Sequence, residues 1–142
     1  MTYHAEVVPL DDYVKGVLPN EWFRYWEQEA LRAGAIAVKN YGVSIYNSQG
    51  FVWDCTWNQV YDPADRTPET DKAVEDTWDL WLVDSDYQLV RTYFNSDKWG
   101  CATQGENCLS QLESQRLARQ GYLLRFIILT NYEGTLISLY NE

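Results

Sequence analysis

Glu29-Ala30-Leu31-Arg32-Ala33-Gly34-Ala35-Ile36-Ala37-Val38-Lys39-Asn40-Tyr41 is the stretch whose reading decides the fold. Ala30, Gly34, Ala37, Tyr41 and, just beyond, Ile45 recur at helical spacing, which predicts a helix from near Trp26 to about Tyr46. Much of that face is small: Ala30, Ala33, Gly34 and Ala37. Small side chains let another part of the chain approach closely. Gly34 costs about 1 kcal/mol of helix propensity relative to Ala, so its place mid-helix predicts tight packing. The segment is expected to be the central buried helix.

Working outward toward the N-terminus, residues 7–10 read as a short strand end closed by Pro9. Asp11 or Asp12 then caps a helix to about Leu18, and Pro19 and Asn20 break it. Toward the C-terminus, Gly50 ends the central helix. Residues 51–53 and 59–61 read as short strands around a turn, and 62–68 as a loop. Thr67 caps and Pro68 opens a helix to about Thr77. Residues 80–83 and 88–94 read as a hairpin joined by Asp84-Ser85-Asp86. Residues 95–107 are polar and irregular. Ser110 to Gln120 reads as a helix stopped by Gly121. Residues 122–129 fit either helix or strand, and 135–140 a terminal strand. Helices and short strands mix without regular alternation, so the expected class is α+β. The expectation is a single compact domain over residues 1–142, with a central buried helix and short mixed strands.

Composition narrows the function. A chain of 142 residues can bury a core without metal or disulfide staples. Seven Trp and eleven Tyr are too many for a disordered chain, and dense aromatics fill a core or line a groove. The formal charge of −10 argues against nucleic acid and against docking on an anionic membrane. No apolar run reaches membrane-spanning length, so no membrane insertion is expected. Residues 1–10 carry His4 and Glu6 and lack the basic and apolar regions of a signal peptide, which leaves a cytoplasmic chain or one stripped of its export signal. Of three cysteines, Cys101 and Cys108 flank a short loop that a disulfide can close in an oxidising compartment, or that can stay reduced. Cys55 reads as a small buried hydrophobe.

The motifs then carry a resemblance. Val8-Pro9-Leu10-Asp11-Asp12-Tyr13-Val14-Lys15-Gly16-Val17-Leu18-Pro19-Asn20-Glu21-Trp22 resembles the opening motif of the SpoIID/LytB family (sporulation stage II protein D and amidase-enhancer proteins). The stretch from Glu29 to Tyr41 resembles its central helix. Asp54-Cys55-Thr56-Trp57-Asn58-Gln59-Val60-Tyr61 resembles its central turn, and Thr70 to Trp78 the helix that follows. Tyr93-Phe94 sits where the family places an aromatic strand. Ser110-Gln111 with Leu117-Ala118-Arg119-Gln120-Gly121 resembles its C-terminal helix motif. The order and spacing match from about residue 8 to 140, more closely in the N-terminal half. Two features depart. Trp53 and Asn58 stand where many members carry zinc-ligating Cys, and His4 is the sole histidine, so no structural zinc or other cofactor is expected. The run Gln104-Gly105-Glu106-Asn107-Cys108-Leu109 lacks the histidine and most glycines of the family's loop, and Glu113 replaces a usual glycine.

The resemblance implies an activity on peptidoglycan in the cell envelope or outside the cell. Enzymes of the family are lytic transglycosylases that cut the MurNAc–GlcNAc bond of glycan strands without adding water. Glu21, in Pro19-Asn20-Glu21-Trp22, is then the implied catalytic acid. A lone carboxyl suits that reaction, because the nucleophile is the sugar's own C6 hydroxyl and ordinary glycosidases need two carboxyl groups. As an acid near neutral pH it needs a raised pKa, which Trp22, Phe23, Tyr25 and Trp26 would supply by desolvating it. Without the resemblance, Glu21 reads as a residue closing the break before the central helix. Gln59, Tyr61, Trp57, Ser110 and Gln111 are the implied substrate-binding residues, with Trp53, Trp57 and Trp99 offering flat faces for sugars. Each also has a packing reading: Ser110 as a helix N-cap with Glu113 completing a capping box, and Lys39 as a structural cation on a carboxylate or carbonyl. Glu29 is solvated or pairs with Arg32. The second implied function is a non-catalytic module that binds glycan or modulates a cell-wall amidase.

Overall fold

Helix α1 (Leu10–Glu21) and the long α2 (Gln28–Gln49) open the chain described by a computed structural model, which covers residues 4–104 and 107–139. A 3₁₀ turn (Pro63–Asp65) and α3 (Pro68–Asp76) follow, then β1 (Leu80–Val83) and β2 (Tyr93–Asn95). The chain continues through α4 (Lys98–Gln104), β3 (Cys108–Ser110), α5 (Gln111–Arg119), α6 (Leu124–Asn131) and β4 (Leu136–Leu139). The class is α+β, as the mixed pattern predicts.

Helix α2 runs through the core, burying Ala30, Leu31 and every residue from Ala33 to Gly42. Helices α1, α3, α5 and α6 all pack on it. Gly34 explains the small face. A Cβ there would lie 2.4 Å from the Trp22 ring, so the indole rests directly on the α2 backbone. The buried polar side chains of α2 tie down the strands. Asn40 donates from Nδ2 to the carbonyls of Leu82 (2.8 Å) and Val90 (2.9 Å) and accepts from the Leu82 amide (3.1 Å). The Ala37 carbonyl accepts from Thr92 Oγ1 at 2.6 Å. Lys39, 1% exposed, donates to the carbonyls of Thr77 and Trp78 at the end of α3, and its ammonium sits 4.1 Å from the centre of the Trp81 ring. That is the structural, carbonyl-holding role expected of it.

Several helix signals hold. Thr67 accepts from the Thr70 amide and Pro68 opens α3. Ser110 caps α5 by accepting from the Glu113 amide. Gly50 and Gly121 follow helix ends with φ of 83° and 93°. Residues 136–139 form the expected last strand, while Tyr140 lies outside the described residues.

Other expectations are corrected. Residues 7–10 form no strand, because α1 starts at Leu10 with Pro9 as its N-cap residue. Asp11 and Asp12 therefore sit in the first turn, where they favour the positive end of the helix, and neither caps it. Pro19 does not break α1. It falls in the last turn, where it forfeits the one ladder bond to Lys15 O, and the ladder resumes with the Trp22 amide donating to Leu18 O at 2.8 Å. The 51–61 segment carries one isolated bridge, Asp54 to Gln59, in place of two strands. The 80–94 hairpin is largely replaced. Its turn closes through Asp84 N to Gln88 O and Val90 N to Leu82 O, but β1 pairs antiparallel with β4, and β2 pairs parallel with β3. Residues 98–104 are helical where irregular chain was expected. The ambiguous 122–129 stretch resolves as α6. Cys101 and Cys108 are disulfide-bonded, joining α4 to β3. Cys55 is half-buried, short of the full burial expected. Within the 104–109 run, Gly105 and Glu106 lie outside the described residues.

Candidate functional site

Glu21 is the last residue of α1, and its position is fixed by the residue after it. Trp22 is fully buried. Its ring lies on Gly34 and meets Phe94 edge-on at 5.2 Å. Its Nε1 donates to Ser114 Oγ at 2.9 Å, and Ser114 Oγ in turn donates to Gln111 O at 2.6 Å. This anchor draws the first turn of α5 to the end of α1. Gln111, the first residue of α5, then donates from Nε2 to Glu21 Oε2 at 3.1 Å.

A second influence comes from the loop after α2, where the Val60 backbone amide favours the Glu21 anion and lowers its pKa. That loop is held by side chains at three points. Asp54 Oδ1 accepts from the Tyr61 amide. Asn58 Oδ1 accepts from the Trp53 amide at 2.9 Å, and its Nδ2 donates to Tyr41 Oη at 3.3 Å. Gln59 Nε2 donates to Tyr13 Oη at 3.1 Å and to Val38 O at 3.4 Å. Trp53 and Asn58, which stand where zinc ligands were looked for, are thus joined by a hydrogen bond. Among the described residues, no group of three or more His, Cys, Asp and Glu side chains could hold a metal ion.

The electrostatics follow from this packing. Burial pushes the Glu21 carboxyl above its usual range, and the Gln111 bond and the Val60 amide pull it partly back. The two helix ends act in opposite senses: the C-terminus of α1 disfavours the anion, and the N-terminus of α5 favours it. Burial also pushes the Tyr13 hydroxyl up to about 12, against the Gln59 hydrogen bond, so the phenol stays protonated. The desolvation of Glu21 has a different origin from the one expected. Phe23 and Tyr25 are 64% and 74% exposed and face each other, and only Trp22 is fully buried beside it.

The other sequence candidates divide. Gln111 touches Glu21 directly. Gln59 and Ser110 are 1% and 2% exposed, so they shape the site from beneath. Tyr61 stacks on Tyr13 at 5.6 Å and lines a separate groove with Pro9, Asp12 and Arg66. Trp57 is 70% exposed and meets Trp53 edge-on at 5.6 Å, on the loop that carries Val60. Trp99, on α4, is 80% exposed. Glu29 pairs with Arg32 and also caps α6, accepting from the Leu124 amide at 2.7 Å. Glu113 pairs with Arg116 and Lys98. The sequence reading missed the Val60 amide and Tyr13. A backbone amide leaves no mark in a sequence. Tyr13, two residues into the tract before Lys15, offered only its place in the opening motif.

The family model described as stage II sporulation protein (SpoIID) matches residues 2–83, more than half of the chain. A Bacillus subtilis protein named amidase enhancer is 43% identical over 94 residues, covering 66% of this chain and 13% of that protein. An uncharacterised protein of Brachyspira hyodysenteriae is 29% identical over 103 residues, covering 69% of this chain and 28% of its own length. The chain thus spans less than a third of either relative.

Proposed function

The chain belongs to the stage II sporulation protein (SpoIID) family, and we propose that it cleaves peptidoglycan glycan strands as a lytic transglycosylase with Glu21 as its acid and base. The observation that carries this reading is the setting of Glu21: a half-buried carboxyl with a raised pKa, bonded by the Gln111 side-chain amide, with the Val60 backbone amide also favouring its anion. A raised pKa suits the first half of the reaction. The protonated carboxyl donates to the glycosidic oxygen between MurNAc and GlcNAc, and the C1–O bond breaks. The two amides suit the second half, because they stabilise the carboxylate that results. That carboxylate takes the proton of the MurNAc C6 hydroxyl as O6 bonds to C1. The products are a 1,6-anhydro end and a free 4-hydroxyl, and Glu21 is again protonated. No water is consumed and no second carboxyl is needed.

Gln111 holds the carboxyl in place, and the exposed Trp57 and Trp53 pair offers a surface for a sugar face. The family match ends at residue 83, whereas Gln111 and Ser114 lie beyond it, so the reading takes residues 8–140 as one catalytic domain. It also places the protein in the cell envelope or outside the cell. A test is digestion of purified glycan strands in H₂¹⁸O. Anhydro ends free of ¹⁸O are expected, and reducing ends carrying ¹⁸O would mark a hydrolase and overturn the reading.

A second reading is favoured by the relative named amidase enhancer. In it the same surface binds glycan or a cell-wall amidase without cutting. It predicts saccharide or amidase binding that survives Glu21→Gln, with no anhydro products from the wild type.

A further inference from the structure

A groove of about 700 Å³ runs along α5, lined by Trp26, Leu112, Gln115, Arg116, Arg119 and Gln120. The helix that lines it also carries Gln111, the partner of Glu21. Gln111 holds Glu21, and one helical turn further on Gln115 Oε1 accepts from the Glu27 amide at 2.9 Å. That bond fixes the chain next to Trp26 against α5. At 1.5 Å per residue, Arg119 lies about 12 Å along the helix from Gln111, a span that two linked sugar rings can cover.

The cations of this groove differ from those elsewhere. On and between α1, α2 and α3 the cations meet carboxylates: Lys15 with Glu75, Arg24 with Glu69, Arg32 and Lys72 with Asp76, and Arg66 with Asp71. On α5, Arg116 pairs with Glu113, which Lys98 of α4 also meets, and Arg119 has no ion-pair partner among the described residues. Two cations, Arg116 and Arg119, line the groove, in a chain whose formal charge is −10. The floor is apolar, with a half-buried Trp26 and a Leu112 that is 56% exposed. Arginines in the last turn of a helix also favour its negative end. That role does not require an indole and an exposed leucine beside them.

We propose that this groove is a subsite for a saccharide unit bearing a free carboxylate. Trp26 and Leu112 lie against the sugar's apolar face, and Arg119 binds the carboxylate. The inference rests on the peptidoglycan reading above. In peptidoglycan the carboxylate has two sources, the lactyl group of a muramic acid and the carboxyls of a stem peptide, and both present the same chemistry to Arg119.

The test is an NMR titration of the ¹⁵N-labelled full chain carrying Glu21→Gln, so that the probes are not cut, with chitotetraose, a peptide-free GlcNAc–MurNAc tetrasaccharide, and the same tetrasaccharide with stem peptides attached. At least one charged probe is expected to bind about two- to fivefold more tightly than chitotetraose, with shifts at Leu112 and Arg119. Arg119→Gln, at an exposed and unpaired site, should remove that advantage, so that charged and neutral probes bind alike. Which charged probe shows the advantage identifies the source of the carboxylate. Equal binding of charged and neutral probes, or an advantage that survives Arg119→Gln, overturns the subsite. Shifts around position 21 in that same experiment would leave the peptidoglycan reading standing, whereas no shifts with any probe overturn both.

Discussion

Trp22 donates its indole N–H to Ser114 Oγ at 2.9 Å, and this bond sets the distance between Glu21 and Gln111. The pair lies one residue past Glu21 and three past Gln111. It joins the end of α1 to the first turn of α5, while the ring itself rests on α2. In a double-mutant cycle, Trp22→Phe and Ser114→Ala should each destabilise the fold, with a coupling of about 1 kcal/mol in urea denaturation. Additive effects would show that the bond does not hold the two helices together.

Gly34 should not accept a methyl group. Helix propensity alone favours Gly34→Ala by about 1 kcal/mol. The new Cβ would stand 2.4 Å from the Trp22 ring, however, and overpacking of a close-packed core typically costs about 1–3 kcal/mol. We expect Gly34→Ala to lower stability. A more stable variant would mean that the indole can move off α2.

Glu21 should lower stability at neutral pH. Its pKa is raised in the folded protein, so the folded state holds the proton more tightly than the unfolded chain. Its contribution is therefore fully present below the ordinary value of 4.5 and is lost as pH rises through the folded value. Glu21→Gln removes the buried charge and keeps an acceptor for Gln111. The variant should melt at a higher temperature than the wild type at pH 7, with the gap closing toward pH 4. A gap that does not change with pH would contradict the raised pKa.

Lys39 should leave its own mark at higher pH. Burial lowers it to about 7 from 10.5, while Asp79 acts in the opposite sense. Between those values the unfolded chain binds a proton that the folded state has shed, so stability should rise with pH across that window. Below about 7 both states are protonated and the full cost of burying the ammonium is present. Denaturation profiles of wild type and Lys39→Met from pH 7 to 10 will separate this contribution. The variant should lose the part of the slope that Lys39 supplies, and identical slopes would rule it out.

Several local signals in the sequence match the fold, those around Pro9, Asp11, Asp12 and Pro19 do not, and the non-local strand pairings were not legible. The small-residue face of α2, the Thr67-Pro68 start and the Ser110 to Gly121 helix depend on residues within a few positions of one another. The partner of β1 does not. A tight turn after Val83 suggested a hairpin, but Leu136–Leu139 took the ladder. Strand β2 is three residues long and finds its partner across α4. Helix α4 was hidden by Gly100 and Thr103, poor helix formers. Its signal was Asp97, which accepts from the Gly100 amide three residues on as an N-cap does. In the site, Glu21 and Gln111 were legible through their motifs, and the reason they meet was not. That reason is a tryptophan seated on a glycine, visible separately as two residues and jointly only in the fold.

The most direct test of the central claim is mass spectrometry of purified glycan strands incubated with the wild type and with Glu21→Gln. The account predicts 1,6-anhydromuramyl ends from the wild type and none from the folded variant. Anhydro ends from both proteins, or none from a folded wild type given both peptide-bearing and peptide-free strands, would contradict it.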